Sequence, residues 1–194
     1  MFLMSPGVVE AMDAAGAIRL LGWGECAVGP VEFGGVRFWA GVYIDRAEHA
    51  HRMRLRIGPV LERDRLAEHL ESPRGSRMIE PAVRLLGCLV GDDDAAVAMR
   101  AASLLAGYAP RAVLVHDKKD LTDLAIDAAL LDQGIVVIQN GHLQLLTEAG
   151  PRVTGLGFDA REWELLETVY AAWLVGTNPC CSGPAIAQWF MSTR

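Results

Sequence analysis

Apolar and polar positions alternate most regularly at residues 36–44, where Val36, Phe38, Ala40, Val42 and Ile44 interleave with Arg37, Trp39, Gly41 and Tyr43. A period of two is that of a half-buried β-strand. The surrounding "AIRLLGWGECAVGPVEFGGVRFWAGVYID" is rich in glycine turns and in branched or aromatic residues, and predicts an antiparallel meander. After a turn at "DRAEHA" the alternation returns in "HRMRLRI", with Met53, Leu55 and Ile57 on one face and Arg52, Arg54 and Arg56 on the other. A helix over 46–57 is the alternative, because its start at Arg46-Ala47-Glu48-His49 also suits helix. Ahead of the meander, "SPGVVEAMDAAG" predicts a helix with Ser5 as N-cap, Pro6 at the first position and Gly16 past the end.

Gly58-Pro59 closes this part. Residues 60–71 predict a helix, and "ESPRGS" (71–76) is a linker in composition. Two further helices are expected over 77–90 and 93–106, separated by "GDDD", whose aspartates suit a helix N-terminus. "AVLVH" is a short apolar run ending in charge, the pattern of a buried strand. Asp120 then caps a helix from Leu121, and Gly134 is its expected stop. "IVVIQ-NG-HLQLL" predicts a hairpin turning on Asn140-Gly141.

At the last helix, Asp159 and Glu162 have capping-box spacing, with Phe158 and Trp163 placed for a hydrophobic staple. Trp163, Leu166, Tyr170, Trp173 and Leu174 recur on one face. "GPAIAQWFM" adds a second amphipathic segment begun by Pro184. Two such helices can form a homodimer interface or pack on their own core. Together the elements give an α+β fold: an N-terminal antiparallel sheet with helices, a strand–helix–β-hairpin unit, and C-terminal amphipathic helices. The expected division is an antiparallel region over 1–72 and an α/β region over 77–194, or one compact domain.

Composition changes this picture little. The chain has 194 residues, 52% of them hydrophobic and 22% charged, enough apolar content for a sizeable core. No run of about 18 apolar residues is present, so no membrane partner is expected, and "MFLMSPGVVEAMDAAG" does not read as a signal peptide. Cys26, Cys88, Cys180 and Cys181 are too irregular for a secreted disulfide framework, which predicts a reduced, cytoplasmic protein. The net charge of −6 falls wholly on residues 91–194, so a polyanion would meet the first half.

Several side-chain groups are candidates for chemistry. If residues 36–44 and 51–57 pair, Arg37, Trp39, Tyr43, Arg52, Arg54 and Arg56 share a surface able to stack bases and hold phosphates. An exposed face with arginines lying over its aromatics, or one covered by a helix, explains the same pattern. Lys118 and Lys119, the only lysines, flank a helix N-terminus and are candidate anion contacts; Asp117, Asp120 and Asp123 beside them favour a balanced surface turn. His49 and His51 are two apart, as two zinc ligands on a strand would be, but no third ligand is nearby and a satisfied or exposed histidine pair is the favoured reading. Cys180-Cys181 are candidates for soft-metal binding or redox exchange, with a packed apolar role as the alternative. No G-x-S-x-G, Walker loop, G-x-G-x-x-G or H-E-x-x-H occurs, and no cofactor is expected.

The order of strands and helices resembles restriction-endonuclease-like cores, but "VRFWAGVYID" lacks the acidic set that magnesium-dependent cleavage needs. A second resemblance rests on "LAIDAALLDQGIVVIQNGHLQLLTEAGPRVTGLGFD" and "NPCCSGPAIAQWF". This helix, hairpin and following helices look like the C-terminal part of arsenical-repressor-like winged-helix transcription regulators, over residues 124–194. The helix at 121–133 carries Asp123, Asp127 and Asp132 without a basic residue, so it does not read as a DNA recognition helix. The resemblance implies a regulatory or dimerisation module, with Cys180-Cys181 as its sensor.

Together these features predict a non-catalytic nucleic-acid-binding or transcription-regulatory protein working through the basic, aromatic sheet face. The alternatives are a small enzyme using Cys180, Cys181 or His116, and a protein-interaction module.

Overall fold

The computed structural model describes residues 10–24, 26–71, 79–116, 121–153 and 159–176. The fold is α+β. Helix α1 (Ala11–Leu20) leads into β1 (Cys26–Phe33) and β2 (Val36–Ile44). Helices α2 (Arg46–Leu55) and α3 (Arg63–Glu71) follow, then β3 (Val83–Gly91), α4 (Ala95–Ser103) and β4 (Arg111–His116). The chain continues through α5 (Leu121–Leu130), β5 (Gly134–Gln139), β6 (His142–Thr147) and α6 (Ala160–Val175).

All six strands form one mixed sheet in chain order. β1–β2, β2–β3 and β5–β6 pair antiparallel, while β3–β4 and β4–β5 are parallel and are bridged by α4 and α5. Both tight hairpins turn on two left-handed residues: Gly34-Gly35 (φ 59° and 79°) and Asn140-Gly141 (φ 52° and 75°). That is the two-residue turn whose twist matches paired strands. Because β2 pairs with β3, the regions before and after residues 72–77 share one sheet.

Helices cover both sheet faces. On one face, Val36, Phe38, Cys88, Val113 and Ile135 pack with Ala98 and Ala102 of α4, Ala128 of α5 and Leu165 and Val169 of α6. On the other, Trp39, Leu89, Leu114 and Val136 meet Ala14, Ala17 and Ile18 of α1 and the Trp23 indole. Trp23 lies flat on the sheet because Gly41 and Gly87 leave room for it. A Cβ at Gly87 would sit 2.1 Å from the indole.

Several expected elements differ. Residues 52–55 are the end of helix α2, not a strand. Asp45 caps this helix by accepting the Ala47 and Glu48 N–H groups at 2.9 and 3.0 Å, and Arg56 ends it at φ 55°. The expected helix at 77–90 is instead β3. Its run of apolar residues is buried over most of both faces, and periodicity alone cannot separate such a strand from a buried helix. The helix expected over 93–106 is shorter, starting after Asp94, which accepts the Ala96 and Val97 N–H groups. The helix expected at 5–16 runs over Ala11–Leu20, with residues 1–9 outside the described ones. Gly134 opens β5 instead of ending α5, which ends at Leu130. At α6, Asp159 accepts the Glu162 N–H at 2.8 Å, but the Glu162 carboxylate turns to Arg152 at 2.5 and 2.8 Å, so half of the capping box forms.

Candidate functional site

The carboxyl ends of parallel strands are where open α/β sheets take ligands, since the crossover helices begin there and loops splay apart. A cavity of about 370 Å³ opens at this edge, beside the end of β3. Its walls come from Val36 and Phe38 at the start of β2, Val90 of β3, and Val97, Ala98 and Ala101 of α4. Small residues on α4 create the space: a larger side chain at Ala98 or Ala101 would fill it. Arg37 and Asp92 supply its charged groups.

These two charges are differently engaged. The Asp92 carboxylate accepts the Asp94 N–H at 2.9 Å, and Asp94 in turn occupies the N–H groups at the start of α4. The helix terminus is therefore already capped by protein carboxylate. Arg37 is exposed and makes no ion pair among the described residues. The cavity thus has an apolar wall with Arg37 among its lining residues, the Arg37 side chain alternating with those of Val36 and Phe38 along β2.

The residues expected to form a basic, aromatic platform do not come together. Arg37 lies at one end of β2 and Tyr43 near the other, and Trp39 between them is buried under the α1 layer. Arg54 and Arg56 are exposed around the end of α2. Arg52, expected on the open face, has no exposed surface. Tyr43 is 55% exposed, with the Arg84 guanidinium 5.3 Å from its ring centre. Arg84 is the residue paired with Tyr43 across β2–β3.

Arg52 belongs to a buried cluster that ties α2 to α6. Its guanidinium donates to Glu167 at 2.6 and 2.7 Å, to Glu48 at 3.2 Å and to the Glu80 carbonyl. Glu167 also accepts the Val60 N–H at 2.9 Å and the Trp163 indole N–H at 3.0 Å. Burial opposes the charge on Arg52, but its hydrogen bonds to Glu167 and Glu48 prevail and hold its pKa above the usual arginine value.

Beside this cluster, His49 Nδ1 and the Tyr170 hydroxyl share a hydrogen bond of 2.9 Å, and the His49 ring meets Trp173 edge-on at 5.0 Å. Burial, then the Arg52 charge, lowers the His49 pKa, while burial raises that of Tyr170 to about 12. Both groups are uncharged at neutral pH.

His49 and His51 therefore lie on helix α2, where residues two apart do not share a face. The strand placement that would have set both imidazoles on one side is absent, and no group of three possible metal ligands occurs among the described residues. His116 is exposed at the end of β4. Lys118, Lys119, Cys180 and Cys181 lie outside the described residues. Cys26 is disulfide-bonded, which departs from the expectation of wholly reduced cysteines. Cys88 is free and fully buried, and burial pushes its thiol far above the ordinary range.

Comparisons of the chain with protein-family models, curated proteins and solved structures found no match. No helix among the described residues is long and apolar enough to cross a membrane.

Of the α6 face expected to support a homodimer, Trp163, Leu166 and Tyr170 are buried within the chain's own core and Trp173 and Leu174 are half-buried against it. The second amphipathic segment, from Pro184, lies outside the described residues.

Proposed function

We propose that this chain is a non-catalytic, small-molecule-binding protein whose ligand is a compact apolar molecule bearing one acidic group. The observation that carries this reading is the cavity of about 370 Å³ at the carboxyl edge of β3, apolar on its walls and holding the unpaired Arg37. Its volume falls within the range of small-molecule sites, which are mostly apolar with a few polar groups that set orientation. The apolar walls supply contact area, and Arg37 supplies the charge that fixes the ligand's head. Asp92 opposite it disfavours ligands of higher negative charge, such as polyphosphates.

Isothermal titration with benzoate, indole-3-acetate and octanoate tests this reading, using the native chain with Arg37→Ala and Ala101→Trp. Saturable binding weakened by about 10-fold or more in Arg37→Ala, as expected for one hydrogen bond to a charged group, supports it. Ala101→Trp fills the space and abolishes binding. Absence of binding for all three probes counts against the acidic-ligand class.

A second reading keeps nucleic acid as the partner, and the exposed Tyr43–Arg84 stack favours it. An exposed tyrosine beside a guanidinium offers one base-stacking position and one phosphate contact. Fluorescence anisotropy with single-stranded oligonucleotides at low and moderate salt, on the native chain and Tyr43→Ala/Arg84→Ala, separates this reading from the first. Salt-sensitive binding lost in the double variant supports it.

A further inference from the structure

The sheet opens at the cavity beside β3. β2 and β3 pair from Ile44 and Val83 as far as Trp39 and Leu89. Both strands run on past that pair, but each then keeps only its outer neighbour. Val36, Arg37 and Phe38 pair with β1, and Val90 and Gly91 pair with β4. Arg37 and Gly91 would be the next residues to exchange hydrogen bonds across the seam; instead the pairing stops short of them and both line the cavity.

The register fixes where their main-chain groups point. In the hairpin turning on Gly34-Gly35, the flanking residues Phe33 and Val36 are the pair that exchanges both hydrogen bonds. Hydrogen bonding alternates along a strand, so Val36 and Phe38 face β1 and Arg37 directs its N–H and C=O away from β1, towards β3. On β3, the Cys88 N–H donates to the Pro110 carbonyl at 2.9 Å, on the β4 side. The same alternation turns Leu89 and Gly91 towards β2. The cavity is therefore bordered by the peptide groups of two strands that part around it, and such groups are obligatory donors and acceptors, met by solvent or by ligand.

We propose that the cavity takes an N-acylated apolar amino acid, bound as a short extended segment between β2 and β3. The inference rests on the reading of this cavity as a site for a small acidic ligand, and names the class of that ligand. In an extended residue the N–H and the carbonyl carbon's oxygen lie on one edge, and the preceding carbonyl lies on the other. On one edge the ligand's amide N–H donates to the Arg37 carbonyl, and its carboxylate accepts the Arg37 N–H. On the other edge its acyl carbonyl accepts the Gly91 N–H. The apolar side chain meets the wall formed by Val97, Ala98 and Ala101. A cavity of about 370 Å³ suits an occupant of small-ligand size and not a whole strand of another protein. Simple aliphatic and aromatic acids fill the same walls but offer nothing to the Arg37 carbonyl or the Gly91 N–H.

Isothermal titration of the native chain with three ligands of one shape series tests this: N-acetyl-leucine, its ester counterpart with oxygen in place of the amide N–H, and 4-methylpentanoate. N-acetyl-leucine should bind about 10-fold or more tightly than either of the others, because they leave the Arg37 carbonyl without a donor. In proton–nitrogen NMR spectra the Arg37 and Gly91 amide protons should move downfield with N-acetyl-leucine. N-acetyl-alanyl-alanyl-leucine binding more tightly than N-acetyl-leucine identifies the recognised unit as the carboxyl end of a peptide, and weaker binding identifies it as a free acylated amino acid. Equal affinity for the three ligands, or binding that leaves both amide protons unmoved, overturns the inference and leaves the acidic-ligand reading standing. Binding of none of these, nor of benzoate, indole-3-acetate or octanoate, overturns both.

Discussion

The Arg52 guanidinium and the Glu167 carboxylate, both without exposed surface, meet through hydrogen bonds of 2.6 and 2.7 Å between α2 and α6. Each also binds other partners: Arg52 holds Glu48 and the Glu80 carbonyl, and Glu167 holds the Val60 N–H and the Trp163 indole. The pair therefore anchors the connection between β2 and β3 onto the last helix. Removing either member leaves the other charge buried without its counterion, which costs about 3–5 kcal/mol. Arg52→Met and Glu167→Leu should each lower the melting temperature by about 6–20 °C on the usual scaling for a chain of this size. The double variant should lose less than the sum of the two, because the stranded charge is gone. Thermal denaturation of the three variants checks this; strictly additive losses would contradict the coupling.

The neighbouring His49–Tyr170 contact gives stability a dependence on pH at both ends. The folded-state pKa of His49 is lowered, so protonation favours the unfolded chain. Its contribution is fully present above the ordinary histidine value of about 6.5 and is lost as pH falls from there through the lowered folded value. Tyr170 has the opposite sign at the alkaline end. Its folded pKa is raised to about 12, so stability is intact below the ordinary phenol value of 10 and is lost as pH rises toward 12. Urea midpoints across these two windows should fall at both extremes. His49→Phe should flatten the acidic limb and leave the alkaline one, and an unchanged acidic limb would remove His49 as its source.

Trp23 is seated by two glycines on adjacent strands, and this contact offers a sharper packing test. At Gly87 a methyl group would lie 2.1 Å from the indole, and at Gly41 it would lie 2.7 Å from Trp23 Cβ. Gly87→Ala should destabilise by about 1–3 kcal/mol, the cost of overpacking a tight interior. Adding Trp23→Ala should make the alanine at residue 87 much less costly, since its obstacle is removed. Comparing the Gly87→Ala effect in the two backgrounds by denaturant titration reads the coupling directly.

Local signals in the sequence were informative where one short motif decides the geometry. Asn140-Gly141 forms the expected two-residue turn, Asp159 caps α6, and "AVLVH" is buried as β4. The opposite happens at "HRMRLRI". Its alternation has the period of a strand, but Asp45 caps a helix and Glu48 reaches Arg52 one turn later, so the segment is α2. The helix-friendly start at Arg46 carried the better information. β3 was misread for a different reason: a strand covered on both faces has no polar side to set its period.

The cavity and the buried ion pair were not legible in the sequence, because both form between distant segments. Arg52 and Glu167 are 115 residues apart. A clue lay in α6 itself, where Glu167 shares one helix face with Trp163, Leu166, Tyr170 and Leu174. A carboxylate in that position requires a buried cation. The small residues Ala98 and Ala101 gave no comparable signal, since alanines at helical spacing also serve simple close packing.

The central claim is that the space beside β3 accepts a small acidic ligand through Arg37. Isothermal titration of indole-3-acetate into the native chain and into Arg37→Ala and Ala101→Trp measures this most directly. The account predicts saturable binding to the native chain, weakened by about 10-fold or more without the guanidinium and absent when the cavity is filled. Binding of equal strength to all three proteins would contradict it.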